Sequence, residues 1–156
     1  MLVAAGLLCW VVFEAARAYP HYIPYMNQLA WRRPHWYYLS DSNVEWGDDA
    51  RDLALYLRAR GETRVTAALL DGFTYNAHSV PYARTLDHYG VEYVNLLSED
   101  EEGTGPTRYV AVGASYLNGA LLLAVPVPQR LKVLEYRRRA PEVVFGGSIY
   151  LYREGE

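Results

Sequence analysis

The sequence predicts an α/β fold: a single domain with a mostly parallel sheet flanked by helices, preceded by an apolar amino-terminal helix. Three observations carry that expectation. Strand-like and helix-like stretches alternate after residue 39, the order that puts crossover helices between parallel strands. A length of 156 residues suits one domain with a sizeable core. The chain also opens on an unbroken apolar run, Leu2 to Phe13. The expected divisions are an apolar helix over 1–18, an aromatic and basic linker over 19–38, and the α/β domain over 39–156.

The apolar run covers 12 residues before Glu14, about 18 Å of helix at 1.5 Å per residue. That is short of the roughly 30 Å of a bilayer core. Three readings fit it. A secretory signal would leave "ARA" as a loose cleavage site, although no Lys or Arg precedes the run. A buried helix is the second. The third is the carboxyl end of a transmembrane helix. Tyr19, His21, Tyr22, Tyr25, Trp31, Arg32 and Arg33 follow, with Arg17, Trp36, Tyr37 and Tyr38 nearby, and together they have the make-up of a membrane-interface belt.

The helix expected over Asp48–Arg60 carries Ala50, Leu53, Ala54 and Leu57 on one stripe, and Gly61 closes it. "TRVTAALLD", Thr63 to Asp71, is an apolar run suited to a buried strand. Ser79 is a candidate cap for a helix with Pro81 in its first turn and Gly90 at its end. "VEYVNLL" reads as a strand and "SEDEEGTGPT" as a solvated loop. "RYVAVGA" is a further strand, followed by a helix beginning near Ser115. Pro126 and Pro128 break the chain before the helix "QRLKVLEYRRR", whose basic end suits its dipole. "SIYLYRE", Ser148 to Glu154, closes as a strand with alternating faces.

A net charge of -3 gives no electrostatic footprint for nucleic acid. The 15 tyrosines stand out beside 3 phenylalanines. Amphipathic rings serve carbohydrate sites, interfaces and headgroup regions, and they also serve cores. Cys9 is the single cysteine, which excludes a disulfide framework and a multi-cysteine zinc site. Its apolar neighbours lead us to expect a packed, unreactive thiol.

No dinucleotide loop, P-loop, G-x-S-x-G elbow or H-E-x-x-H is present. "FGGS" is a turn or a point of close backbone approach. His78 and His88 lack a metal-ligand spacing, and no metal or cofactor is expected from His21, His35, His78 and His88. Ser115, His88 and Asp71 make a triad only by inventory.

The densest polar stretch is "LSDSNVEWGDDARDL", Leu39 to Leu53. Asp41, Ser42 and Asn43 suit an Asx-type turn, and Asn43 or Gly47 can cap the following helix. Asp48 and Asp49 would then offset the helix dipole by about 0.3–1 kcal/mol each, and Trp46 would pack back on Ala50 or Leu53. Capping accounts for most of these residue types. A ligand reading gives Asp41, Ser42, Asn43 and Trp46 to sugar hydroxyls and a sugar face. A catalytic reading would use Asp41, Glu45 and Asp48 as acid and base, as in a small carboxylate-dependent hydrolase.

"YPHYIPYMNQLA" (Tyr19 to Ala30) followed by "YYLSDSNVEWGDDARDLALYLRARG" (Tyr37 to Gly61) resembles the carboxyl-terminal region of bacterial polyprenyl-phosphate-dependent membrane glycosyltransferases of the GT-C, family 39-like type. "VAVGASYLNG" and "GGSIYLYR" resemble later segments of the same region. Glu45, Asp48, Met26 and Gln28 depart from the residues usual there, and a Gly pair usual after the first motif is missing. Glu45 and Asp48 therefore return to the capping role. The resemblance implies an accessory domain at the cell membrane, on the extracytoplasmic side. Its partner would be the membrane portion of a transferase, in the same or an adjacent chain, with a lipid-linked sugar or glycan acceptor nearby. The family's catalytic carboxylate loop has no counterpart here, so no catalytic residue is assigned. The alternatives are a stand-alone binding module for glycan or polyprenyl phosphate, and the small hydrolase.

Overall fold

The computed structural model describes residues 2–23, 25–26, 33–39, 44–47, 49–70, 81–98 and 107–155. Helix α1 spans Leu2–Ala18 and α2 spans Ala50–Ala59. Strand β1 (Arg64–Ala68), helix α3 (Pro81–His88) and strand β2 (Glu92–Asn95) follow. Then come β3 (Tyr109–Gly113), α4 (Ala114–Asn118), a 3₁₀ stretch Ala120–Ala124 and α5 (Val127–Tyr136). Strands β4 (Val143–Phe145) and β5 (Ile149–Arg153) complete the order.

The strands form one five-stranded sheet in the order β2-β1-β3-β5-β4. β1 runs parallel to β2 and β3, whereas β5 runs antiparallel to both β3 and β4. The sheet is therefore mixed, which corrects the expectation of a mostly parallel one. The cause is local. Gly146 and Gly147, at φ of 54° and 87°, close a tight hairpin between β4 and β5, and a hairpin reverses direction. The short strand β4 was also missing from the sequence expectation.

Helix burial follows the predicted stripe, with Ala50, Leu53, Ala54 and Leu57 buried along α2. Gly61 ends that helix at φ 76°, with its N–H on Arg58 and that of Glu62 on Leu57. These are the two bonds of a Schellman end. Pro128 does not break the chain as expected but lies in the first turn of α5, where its missing N–H costs no helix bond.

Alternation along the strands feeds two apolar clusters. Tyr109, Ala111, Ile149 and Leu151 pack with α2 and α3. Val110, Val112, Tyr150 and Tyr152 pack with α4 and α5. β5 alternates between two buried sides, not between core and water, because helices cover the sheet on both faces. Much of the tyrosine excess lies here: Tyr82, Tyr109, Tyr116, Tyr136, Tyr150 and Tyr152 are buried. Hydroxyl partners make that burial tolerable, as where Tyr136 donates to Glu154 at 2.8 Å.

Helix α1 differs from the others. Leu2, Val3, Leu7, Leu8, Trp10, Val11, Val12 and Phe13 are all exposed, and Glu14 is its buried residue. The Tyr25 hydroxyl donates to Glu14 Oε2 at 2.6 Å. Cys9 is exposed too, contrary to the expectation of a packed thiol, because none of the described residues covers that face of α1. Among the described residues no helix is long and apolar enough to cross a membrane.

Candidate functional site

Strand β3 lies on the opposite side of β1 from β2, so the order reverses between β1 and β3. In open α/β sheets the crevice at the carboxyl ends of such strands is the usual ligand position. The chain's own residues pack at the carboxyl end of β3. Gly113, the last residue of β3, pairs with Ile149, and the Ala114 N–H donates to the Ser148 carbonyl at 2.7 Å. Against this edge pack Val44 and Glu45 from the segment before α2, and Asp49 at its start.

Glu45 is buried, and its Oε2 accepts the backbone N–H of Ser115 at 2.7 Å. It caps a helix, as expected, but the helix is α4 and not its own. Gly113 permits this, since a Cβ there would overlap the Glu45 carboxylate. Asp49 is completely buried and, as the residue before α2, makes no side-chain cap bond to it. Its Oδ2 accepts the Ser148 hydroxyl at 2.5 Å, and its Oδ1 lies 2.6 Å from His21 Nδ1. Asp52, one turn along α2, brings Oδ2 to 3.9 Å from His21 Nε2. Gly146 leaves room for this carboxylate, because a Cβ there would collide with Asp49.

A second histidine lies beside the first group. His35 opens a 3₁₀ turn, His35–Tyr37, and packs on Gly147 so closely that a Cβ would strike its Nδ1. That Nδ1 is buried without a hydrogen-bond partner among the described residues. Burial pushes the imidazole pKa below its usual 6.5. The Tyr150 hydroxyl faces the backbone N–H groups of Trp36 and His35, and burial pushes its pKa up to about 12. Asn118 Nδ2 donates to the Trp36 carbonyl at 2.7 Å, and the Arg137 guanidinium stands over the Trp36 ring. The Tyr82 hydroxyl accepts the Gly47 N–H at 3.1 Å.

Of the residues singled out from sequence, Asp41, Ser42, Asn43, Asp48, Trp31, Arg32, Asp71, His78 and Ser79 lie outside the described residues. Trp46 is 63% exposed, where packing back on α2 was expected. Tyr19, Tyr22, Tyr25 and Arg33 are exposed. His21 departs from that group by turning to Asp49. Ser115 is buried and His88 is exposed at the end of α3, so the inventory triad does not assemble. Ser148 is no nucleophile either, because its hydroxyl serves a carboxylate and not an imidazole.

Sequence reasoning missed Asp49, Ser148 and His35 as a group. The signal present was Asp49 itself, four residues before Leu53 and three before Asp52. It falls on the edge of the apolar stripe, and a carboxylate there needs a buried partner.

The fold is α/β, and two linker residues reach its sheet end, His21 beside Asp49 and His35 beside Gly147. Comparisons with family models, with curated proteins and with solved structures find no match for the chain.

Proposed function

We propose that the chain is a membrane-proximal accessory domain of a lipid-linked sugar glycosyltransferase, outside the cytoplasm, with α1 embedded in the lipid. The observation that carries this reading is α1 itself. Its apolar side chains are exposed around the circumference, and a helix apolar on all sides needs a protein interior or a bilayer around it. Tyr19 and Tyr22 stand directly after it with exposed rings, at the depth where amphipathic rings meet headgroups. The helix reaches about 26 Å at 1.5 Å per residue, so in this reading it is the end of a span. The transferase connection rests on the Tyr19–Ala30 and Tyr37–Gly61 motifs, and it assigns no catalytic residue to this chain.

Flotation with phosphatidylethanolamine/phosphatidylglycerol vesicles tests the membrane part. The protein should float, and Leu8→Asp combined with Val12→Asp should leave it in the dense fraction. Wild-type protein that stays unbound overturns the embedding. The transferase part is tested by the coding sequence upstream of Met1 and its neighbouring frames, which should encode hydrophobic spans. Their absence removes that connection.

The exposed indole of Trp46 favours a second reading, a module that binds glycan or polyprenyl phosphate through Asp41, Asn43 and Trp46. Titration of short glycans and of a polyprenyl phosphate against wild type and Trp46→Ala decides it. Equal, negligible binding by both removes it. Glu45 is bonded and buried, so the hydrolase alternative lacks one of its carboxylates.

A further inference from the structure

We propose that His21, Asp49 and Asp52 form a binding site for a divalent transition-metal ion of the zinc class, independently of the function proposed above. Three ligand atoms, one from each residue, lie within 4.8 Å of one another. They come from two parts of the chain. Asp49 and Asp52 stand three residues apart on one face of the start of α2, and His21 arrives from the linker after α1.

The arrangement has a fixed member and two adjustable ones. Asp49 is wholly buried, and the Ser148 hydroxyl at 2.5 Å holds one carboxylate oxygen while the other is turned to His21. Such outer donors to a ligating carboxylate are a regular part of metal sites. The side chains of His21 and Asp52 are 32% and 45% exposed, so both can adjust about the fixed carboxylate. Zinc bonds of about 2.0–2.2 Å to nitrogen and oxygen place tetrahedral ligands roughly 3.3–3.6 Å apart. The His21–Asp49 edge, now 2.6 Å, therefore opens by about 1 Å while the Asp52 oxygen draws in, and rotation of two surface side chains supplies both.

The donor set selects the ion. One imidazole nitrogen with two carboxylate oxygens suits zinc and its neighbours, whereas calcium takes six to eight oxygens and magnesium keeps its water. Charge agrees as well. Two carboxylates around one imidazole favour a cation. Water completes the coordination on the exposed side. Ser148 is a positioning residue in this scheme, acting through Asp49.

The test is calorimetric titration of zinc chloride into the full chain after treatment with a chelator, at neutral pH. Saturable binding of about one equivalent is expected, with micromolar affinity. His21→Ala and Asp52→Asn change surface side chains and should each weaken binding at least tenfold. Ser148→Ala should weaken it about tenfold in protein whose circular dichroism matches wild type. Magnesium chloride should give no saturable heat. No zinc binding overturns the proposal. So does unchanged affinity in both His21→Ala and Asp52→Asn, which would place the ion elsewhere, or magnesium binding as tight as zinc.

Discussion

The carboxylate of Glu45 accepts the backbone N–H of Ser115 at 2.7 Å across 70 residues of sequence. A side chain that precedes α2 thereby caps α4, and it does so in space that Gly113 leaves open. Gly113 is extended, at φ -72°, so alanine there meets no backbone strain and acts only through the collision with Glu45. Gly113→Ala should cost about 1–3 kcal/mol by overpacking, and Glu45→Ala about the same through the unpaired N–H. The double variant should lose less than the sum, because each change removes what the other disturbs. Denaturant midpoints of the four proteins check this, and strict additivity would refute the shared space.

The Ser148 hydroxyl is a donor to a fully buried carboxylate. Ser148→Ala removes it and leaves the wholly buried Asp49 carboxylate short of one bond. Bonds to charged groups are worth about 1.5–3 kcal/mol, and a loss in that range is expected in urea unfolding. A loss below a few tenths would mean that the carboxylate has replaced the bond.

His35 makes stability depend on pH. Burial holds its pKa below 6.5, so the unfolded chain binds a proton that the folded protein refuses. Stability is then complete above about 6.5 and declines as pH falls toward and through the lowered value. His35→Gln should show a shallower decline between about pH 7 and 5 than wild type. Parallel curves for the two proteins would sink the assignment.

Arg137 joins two contacts in one planar group. Its Nε donates to the Leu117 carbonyl near the end of α4, while the guanidinium stands 5.5 Å from the Trp36 ring centre. Arg137→Lys keeps the charge but not the fork, since an ammonium is a point donor. A loss of about 0.5–1.5 kcal/mol is expected. Thermal melts of Arg137→Lys and Arg137→Met should be similar, and a lysine variant equal to wild type would refute the need for the plane.

Most elements were legible because their signals are local. The Ala50–Leu57 stripe, the glycine stops at Gly61 and Gly90, and the β-branched runs of β1, β2 and β3 each carry their own evidence. Strand β4 was not, since Val143–Phe145 is too short for a pattern and becomes a strand only through its pairing with β5. The site failed for a related reason. Asp49 was read as a dipole charge because a first-turn aspartate usually faces water, and His21 as a belt residue because of its neighbours. Only the tertiary fold brings residues 21, 49 and 148 together. The exposed Trp46 and the buried Glu45 show the same limit, for capping chemistry was legible from Glu45 but not which helix it caps.

The sheet order also decides which edge the terminal hairpin covers. β1, β2 and β3 can form a parallel trio with α2 and α3 already on one face. Among the described residues β4 pairs with β5 alone, and β5 has to lie antiparallel along β3 before the sheet is complete. Until it does, β3 is an open edge made of residues that end up buried in the native sheet, the kind of edge that recruits foreign strands. The Gly146–Gly147 hairpin delivers β5 and its partner together, so the vulnerable edge is covered in one docking step and the new outer edge is only three residues long.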